Sequence, residues 1–267
     1  MSHVATLSSS EYSLVYNMLS LAIAAMLGSF LFFVQAQRQL HPKYRPAMVL
    51  SSLVVAIAGY HYFRIFEGWQ AAHVLKNGVY ESSGVPFNDA YRYVDWLLTV
   101  PLLCAELIAV LALASGVRGK MMAKLVIAAV LMIALGYPGE VSGESGPRVM
   151  WAALSTVPFA YILYVLWVEL SRVSRDQDPK VRDRLTETRW LLLATWGFYP
   201  IAYALPLLGI GGASATVGVQ VGYSIADILA KCGYGFMIFA IARAKMAAAG
   251  ETATDGTATV TVERVAA

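Results

Sequence analysis

Charge is what this chain has too little of. Only 14% of its 267 residues are Asp, Glu, Lys or Arg, against about 25% in a soluble globular chain. So few charges cannot cover a water-soluble core of this size, and 58% hydrophobic residues exclude a disordered chain. Cysteine is nearly absent: Cys104 and Cys232 each stand inside an apolar run. Two such residues make neither a disulfide framework nor a zinc site, and they read as small buried hydrophobes. No metal site is expected. Basic residues are too few, and too scattered in short clusters, for a nucleic-acid surface, the net charge being +3. The class that remains is a membrane protein with several spans.

Seven runs have the roughly 20 apolar residues that one span needs. They are expected at Tyr12–Ala36, Tyr44–Trp69, Ala90–Ser115, Met121–Tyr137, Arg148–Val173, Asp183–Leu208 and Val217–Ala248. The fourth is expected to stop at Tyr137, because Pro138 and Gly139 follow it. Continuous runs read as helices, since hydrocarbon leaves the backbone no other open structure and a barrel would show short alternating segments. The fold class is therefore an all-α bundle of seven transmembrane helices. Lysine and arginine fall in the odd connections and the tail: Arg38, Lys43 and Arg45; Arg118, Lys120 and Lys124; Arg172 to Arg189; Arg243, Lys245 and Arg264. The even connections carry almost none. This asymmetry puts the N-terminus outside and the C-terminus in the cytoplasm. Residues 1–249 form one domain, residues 250–267 a disordered tail, and Met1–Ser10 shows no cleavable signal peptide. In the longest outer loop, Asn77-Gly78 is placed to close a small hairpin.

Ionisable residues inside spans are costly and point to function. Here they are His61 and Arg64 on the second span, Arg92, Asp95 and Glu106 on the third, and Asp227 and Lys231 on the seventh. Salt bridges that only fix packing would explain one pair, but not a set on three helices. Arg92, Asp95 and Thr99 share a helix face, and Glu106 lies about 16 Å, or three turns, further along it. Two carboxylates so arranged describe two stations on a proton path. Lys231 sits mid-span with no other basic residue within ten positions. A lysine in an apolar pocket is suited to forming an imine with an aldehyde, and Asp227 shares its face one turn away.

These residues resemble a family. The last-helix pair Asp227 and Lys231, and the run Arg92-Tyr-Val-Asp95-Trp-Leu-Leu-Thr99-Val-Pro-Leu-Leu, are similar to the microbial rhodopsins. Gly59-Tyr-His61-Tyr-Phe-Arg64 resembles the proteorhodopsin and xanthorhodopsin branch. The resemblance covers all but the tail. It implies all-trans retinal held on Lys231 as a protonated Schiff base, with Asp95 and Asp227 as counter-ions and Arg92 below them. It implies that Asp95 accepts the proton, that Glu106 is the cytoplasmic donor, and that His61 pairs with Asp95. Trp96, Trp196, Tyr199, Pro200 and Tyr203 match the retinal pocket, and Leu103 matches a tuning position whose leucine goes with green absorption. Tyr93 and Tyr223 are further hydrogen-bond donors near the counter-ions.

The function so implied is a light-driven outward proton pump, a transporter and not an enzyme. Its partners are the lipid bilayer and protons, it forms a homo-oligomer, and it lies in the prokaryotic inner membrane as a multi-pass protein. The alternative is a light sensor of the same fold signalling to a membrane partner, against which Glu106 stands, since sensors often lose that donor. Asp95, Thr99 and Glu106 also fit neither a sodium nor a chloride pump. Two departures stand out. Glu140 and Glu144 are expected in a loop and do not match the paired glutamates of the archaeal release group, which implies late proton release. Ala152 stands where carotenoid-binding relatives have glycine, and its methyl group speaks against a carotenoid antenna.

Overall fold

A computed structural model describes residues 5–254 apart from Asp89 and Gly143. Among the described residues, seven helices are long and apolar enough to cross a membrane: α1 (Ser9–Gln39), α2 (Pro42–Ala72), α3 (Tyr91–Val110), α4 (Ser115–Val141), α5 (Ser145–Arg172), α6 (Pro179–Leu208) and α7 (Gly212–Ala249). Short connections make neighbours antiparallel. Consecutive helices pack side by side from α1 to α5, α6 packs on α7, and α7 returns to α1, which closes a ring. α3 is the most enclosed helix, while α5 and α6 turn most of their surface outward. His61, Arg92, Asp95, Glu106, Asp227 and Lys231 are buried on the more enclosed helices α2, α3 and α7, while Arg148 and Arg189 are buried on α5 and α6.

Local chemistry sets the ends and irregularities. Ser8 caps α1 in a reciprocal box with Glu11, which satisfies two backbone N–H groups that a helix start leaves free. Asn77 (φ 50°) and Gly78 (φ 83°) form the two-residue turn between β2 (His73–Lys76) and β3 (Val79–Ser82). Two positive φ values are what the hairpin turn matched to strand twist requires. A third strand, β1 (Leu7–Ser8), pairs antiparallel with β3 and gives the sheet order β1-β3-β2. Two residues carry no periodicity, so this strand was invisible in sequence. At the foot of the hairpin the His73 ring lies tilted against Trp69, centroids 4.2 Å apart, and meets Tyr12 edge-on. Burial there holds the His73 imidazole below the usual histidine range.

Two expectations are corrected. α4 does not stop at Tyr137 but continues through Pro138 to Val141, since an unpaired backbone within the membrane costs more than one missing proline bond. Glu140 is consequently on α4 and not in a loop, while Glu144 precedes α5 at its N-cap position without a side-chain cap. α3 ends at Val110, short of Ser115. The tail expected to be disordered over residues 250–267 is described only as far as Thr254, where Glu251 pairs with Lys43 and the Ala253 carbonyl accepts from Arg45 at 3.0 Å; residues 255–267 lie outside the described residues. At the same end Lys245 donates to the Leu111 carbonyl (2.7 Å) and to Gln177 (2.8 Å), tying α7 to the end of α3 and to the α5–α6 connection.

Candidate functional site

α7 changes to a wider π-helical turn over Ile228–Gly233, with Lys231 inside it. Such turns recur at functional sites because they re-aim a side chain without breaking the helix. Lys231 Nζ donates to Asp227 Oδ1 at 2.6 Å and lies 3.1 Å from Asp95 Oδ2. Arg92 is 3.9 Å from the other Asp227 oxygen. Two cations and two anions thus balance, each residue at most 2% exposed. Removing one member would strand a buried charge, a loss of about 3–5 kcal/mol.

The two carboxylates are not equivalent. Asp227 accepts from the Tyr62 hydroxyl (2.7 Å) and from the Tyr199 hydroxyl (2.5 Å). Asp95 Oδ1 has no hydrogen-bond partner among the described residues. His61 Nδ1 stands 3.8 Å from that oxygen, but its hydrogen goes to the Ile57 carbonyl at 2.9 Å. Thr99, on the face with Asp95, donates to the Asp95 backbone carbonyl and not to its carboxylate. Arg92 is held by Gln220 Oε1 at 2.5 Å and lies over the Tyr223 ring. Arg64 does not join the set: it is half exposed and bonds Glu67 and the Tyr91 hydroxyl.

From Lys231 an apolar cavity of about 210 Å³ runs between α3, α4, α5, α6 and α7. Trp96, Leu103, Trp196, Tyr199, Pro200 and Tyr203 line it, with Tyr93, Tyr223 and Ala152. Pro200 has no N–H for the carbonyl one turn earlier, and the helix is interrupted at Gly197, one turn before it. Trp196 and Tyr199, on either side of the interruption, line the cavity together with Lys231. A lysine amine at one end of a long, aromatic-walled apolar space fits an extended polyene aldehyde bound as an imine. Trp96 Nε1, buried at the wall without a partner among the described residues, is a further polar atom such a ligand would face.

Glu106 is separate from the quartet. It is fully buried on α3, and its Oε2 is 2.6 Å from the Ser51 hydroxyl of α2. Ser51 Oγ also reaches the Ala47 carbonyl at 3.2 Å, and Glu106 Oε1 has no partner among the described residues. Sequence reasoning missed Ser51, Tyr62 and Gln220. Tyr62 stood inside the His61 motif, but nothing there said that α2 would face α7.

A membrane bundle of seven helices with a buried, ion-paired lysine on the last one defines the class. Within that class, the chain belongs to the bacteriorhodopsin-like protein family, whose pattern matches residues 14–245. A green-light absorbing proteorhodopsin from Gamma-proteobacterium EBAC31A08 is 30% identical over 226 residues, covering 83% of this chain and 84% of the relative. Among solved structures, a thermophilic rhodopsin shares 55% identity with a TM-score of 0.89, covering 92% of this chain and 99% of that one. Xanthorhodopsin, described as a light-driven ion pump with dual chromophore, shares 52% identity with a TM-score of 0.90 over 94% of this chain and all of that one.

Proposed function

We propose that the protein is a light-driven outward proton pump carrying all-trans retinal on Lys231 Nζ, in a prokaryotic inner membrane with its N-terminus outside. The observation that carries this reading is the placing of Lys231 Nζ between Asp95 and Asp227 at the mouth of the aromatic cavity, with buried Glu106 apart on the same helix as Asp95. Bound retinal would supply light absorption and an isomerisation that re-aims the Nζ proton and changes its acidity. Trp96, Trp196, Tyr199, Pro200, Tyr203 and Leu103 would hold such a group and keep water from Lys231 Nζ.

The chain's own groups then divide the work. An ammonium has three N–H donors and a protonated imine has one, so attachment removes direct contacts from the carboxylates. Asp227 keeps Tyr62 and Tyr199 as donors. Asp95 has no such phenols, and it is the carboxylate that takes the Nζ proton. His61 and Thr99 hold its surroundings, and Arg92 balances the charge on the outward side. Glu106, without a cation beside it, keeps its proton until Nζ has lost one, and then donates. The carboxyl so emptied refills from the cytoplasm. The protein works as a multi-pass homo-oligomer and catalyses no reaction of a separate substrate. The small Ala152 side chain leaves the cavity wall methylated, which disfavours a carotenoid antenna at that point.

The test is the pH of an illuminated, unbuffered suspension of cells expressing the protein with added retinal. Acidification that a protonophore abolishes is expected. Colour without any pH change would replace the pump with a sensor, and alkalinisation enhanced by the protonophore would reverse the direction.

A further inference from the structure

At the hairpin end of the bundle a second cleft, of about 220 Å³, lies between α4, α5, α6 and α7. Gln220 and Tyr223 form one wall, Glu140 and Arg148 the other. Glu140, Arg148, Thr216, Gln220 and Tyr223 share its lining with apolar residues, and the space is large enough for several waters. Gln220 is also the residue that holds Arg92, so the cleft begins where the buried quartet ends. Its far side reaches the surface, because the Glu140 side chain is 35% exposed.

Arg148 is built into the partition between the two cavities. It bonds Glu140 Oε2 at 2.8 Å and the Tyr203 carbonyl at 3.1 Å, and its guanidinium lies 4.4 Å over the Tyr203 ring. Tyr203 in turn donates its hydroxyl to the Arg148 carbonyl at 3.0 Å. The Tyr203 ring lines the lysine cavity and Arg148 lines the cleft. Tyr203 also presses against Gly139, the residue before Glu140, where a Cβ would collide with its hydroxyl. A change of shape in the lysine cavity is therefore felt at Glu140 through one phenol.

We propose that Glu140 is the outlet station of the pump, receiving by way of the cleft the proton that Asp95 gives up; this rests on the pump reading above. In the resting state the ion pair with Arg148 keeps Glu140 ionised, so it holds no proton for early release. Late in the cycle the proton leaves the Asp95 carboxyl, crosses the cleft water beside Arg92 and Gln220, and binds Glu140 Oε2. That breaks the Glu140–Arg148 bond, but Arg148 keeps the Tyr203 carbonyl as acceptor and is not left unpaired. Glu140 then passes the proton to outside water and the ion pair re-forms. Among the described residues, the ionisable groups placed with Glu140 here are Arg148, a fixed cation, and the phenols Tyr203, Tyr93 and Tyr223. Glu140 is the carboxylate among them.

The experiment is flash photolysis of the retinal-loaded protein in nanodiscs with a soluble pH dye, comparing Glu140→Gln, Glu140→Asp and the unsubstituted chain. In Glu140→Gln the first half of the cycle should keep its rate. Proton appearance and the final return of the initial colour should slow by about tenfold or more. Glu140→Asp should recover most of the loss. Unchanged release in Glu140→Gln, or equal slowing in Glu140→Asp, overturns the proposal. A second measurement needs no substitution: infrared difference spectra with 13C-labelled glutamate should show a carboxyl band that appears only late. Glu106, protonated at rest, can only lose such a band. Absence of the late band also overturns the proposal. If the unsubstituted chain fails to acidify its medium, the pump reading falls; if it acidifies and the Glu140 results are negative, only the outlet falls.

Discussion

Ser51 and Glu106 share one hydroxyl hydrogen, and that decides which way each faces. A serine has a single proton to donate. With Glu106 protonated, the carboxyl can donate to Ser51 Oγ while Ser51 points at the Ala47 carbonyl, 3.2 Å away. Once Glu106 ionises, Ser51 turns and donates to it. In the proposed cycle Ser51 is thus a donor only to the spent acid, and it would help the acid give up its proton. A hydrogen bond to a charged group is worth about 1.5–3 kcal/mol, so Ser51→Ala should slow proton return to Lys231 Nζ by roughly tenfold. Glu106→Gln keeps the shape but has no proton to give, so the same step should slow by about a hundredfold or more. Azide should restore it, and the colour should barely change because Glu106 is remote from the quartet. Both effects are read from the recovery of the flash-induced absorbance; unchanged kinetics in Glu106→Gln would remove it as the donor.

Helices as elements were legible wherever one local signal decided them. Length and apolarity marked seven spans, and Asn77-Gly78 marked the hairpin turn. The Lys231–Asp227 spacing put both on one face, and they bond. What stayed hidden depends on packing between elements. No single-helix pattern says that Ser51 of α2 will meet Glu106 of α3, or that Gln220 of α7 will hold Arg92. The π-helical turn at Lys231 and the extension of α4 past Pro138 are likewise tertiary outcomes that override local preference. Close approaches between helices are of this kind. A Cβ on Gly222 of α7 would overlap the ring of Phe198 on α6, and that ring stands edge-on to Tyr223 at the cavity wall. Gly28 of α1 has open space instead. Gly222→Ala should therefore destabilise by about 1–3 kcal/mol through overpacking, whereas Gly28→Ala should be neutral or stabilise by up to about 1 kcal/mol. Thermal loss of the visible band in the two variants checks this. Equal behaviour would mean that α6 and α7 separate freely, and the tight crossing would not be a constraint.

For the whole molecule the question is which way the bundle lies in the membrane, since a pump read the wrong way round reverses every role. Seven spans put the two ends of the chain on opposite sides. One end of the bundle carries the hairpin, with Lys76 as the basic residue of its connection, and the α6–α7 connection, which has none. The other carries Arg38 and Lys43, Arg118 and Lys120, and Arg172, Arg175, Lys180, Arg182 and Arg184. In the proposed orientation, in which short loops rich in lysine and arginine stay in the cytoplasm, Arg92 and Glu140 belong to the outer half and Glu106 to the inner half. The chain is well suited to a direct check, because Cys104 and Cys232 are both buried and will not react with a polar reagent. Val85 in the hairpin connection and Arg175 between α5 and α6 are exposed and lie at opposite ends. A membrane-impermeant maleimide applied to intact cells should label Val85→Cys and leave Arg175→Cys untouched until the membrane is opened. The opposite pattern would make Glu106 the outer carboxylate. Light would then have to move protons inward for the same residues to keep their order.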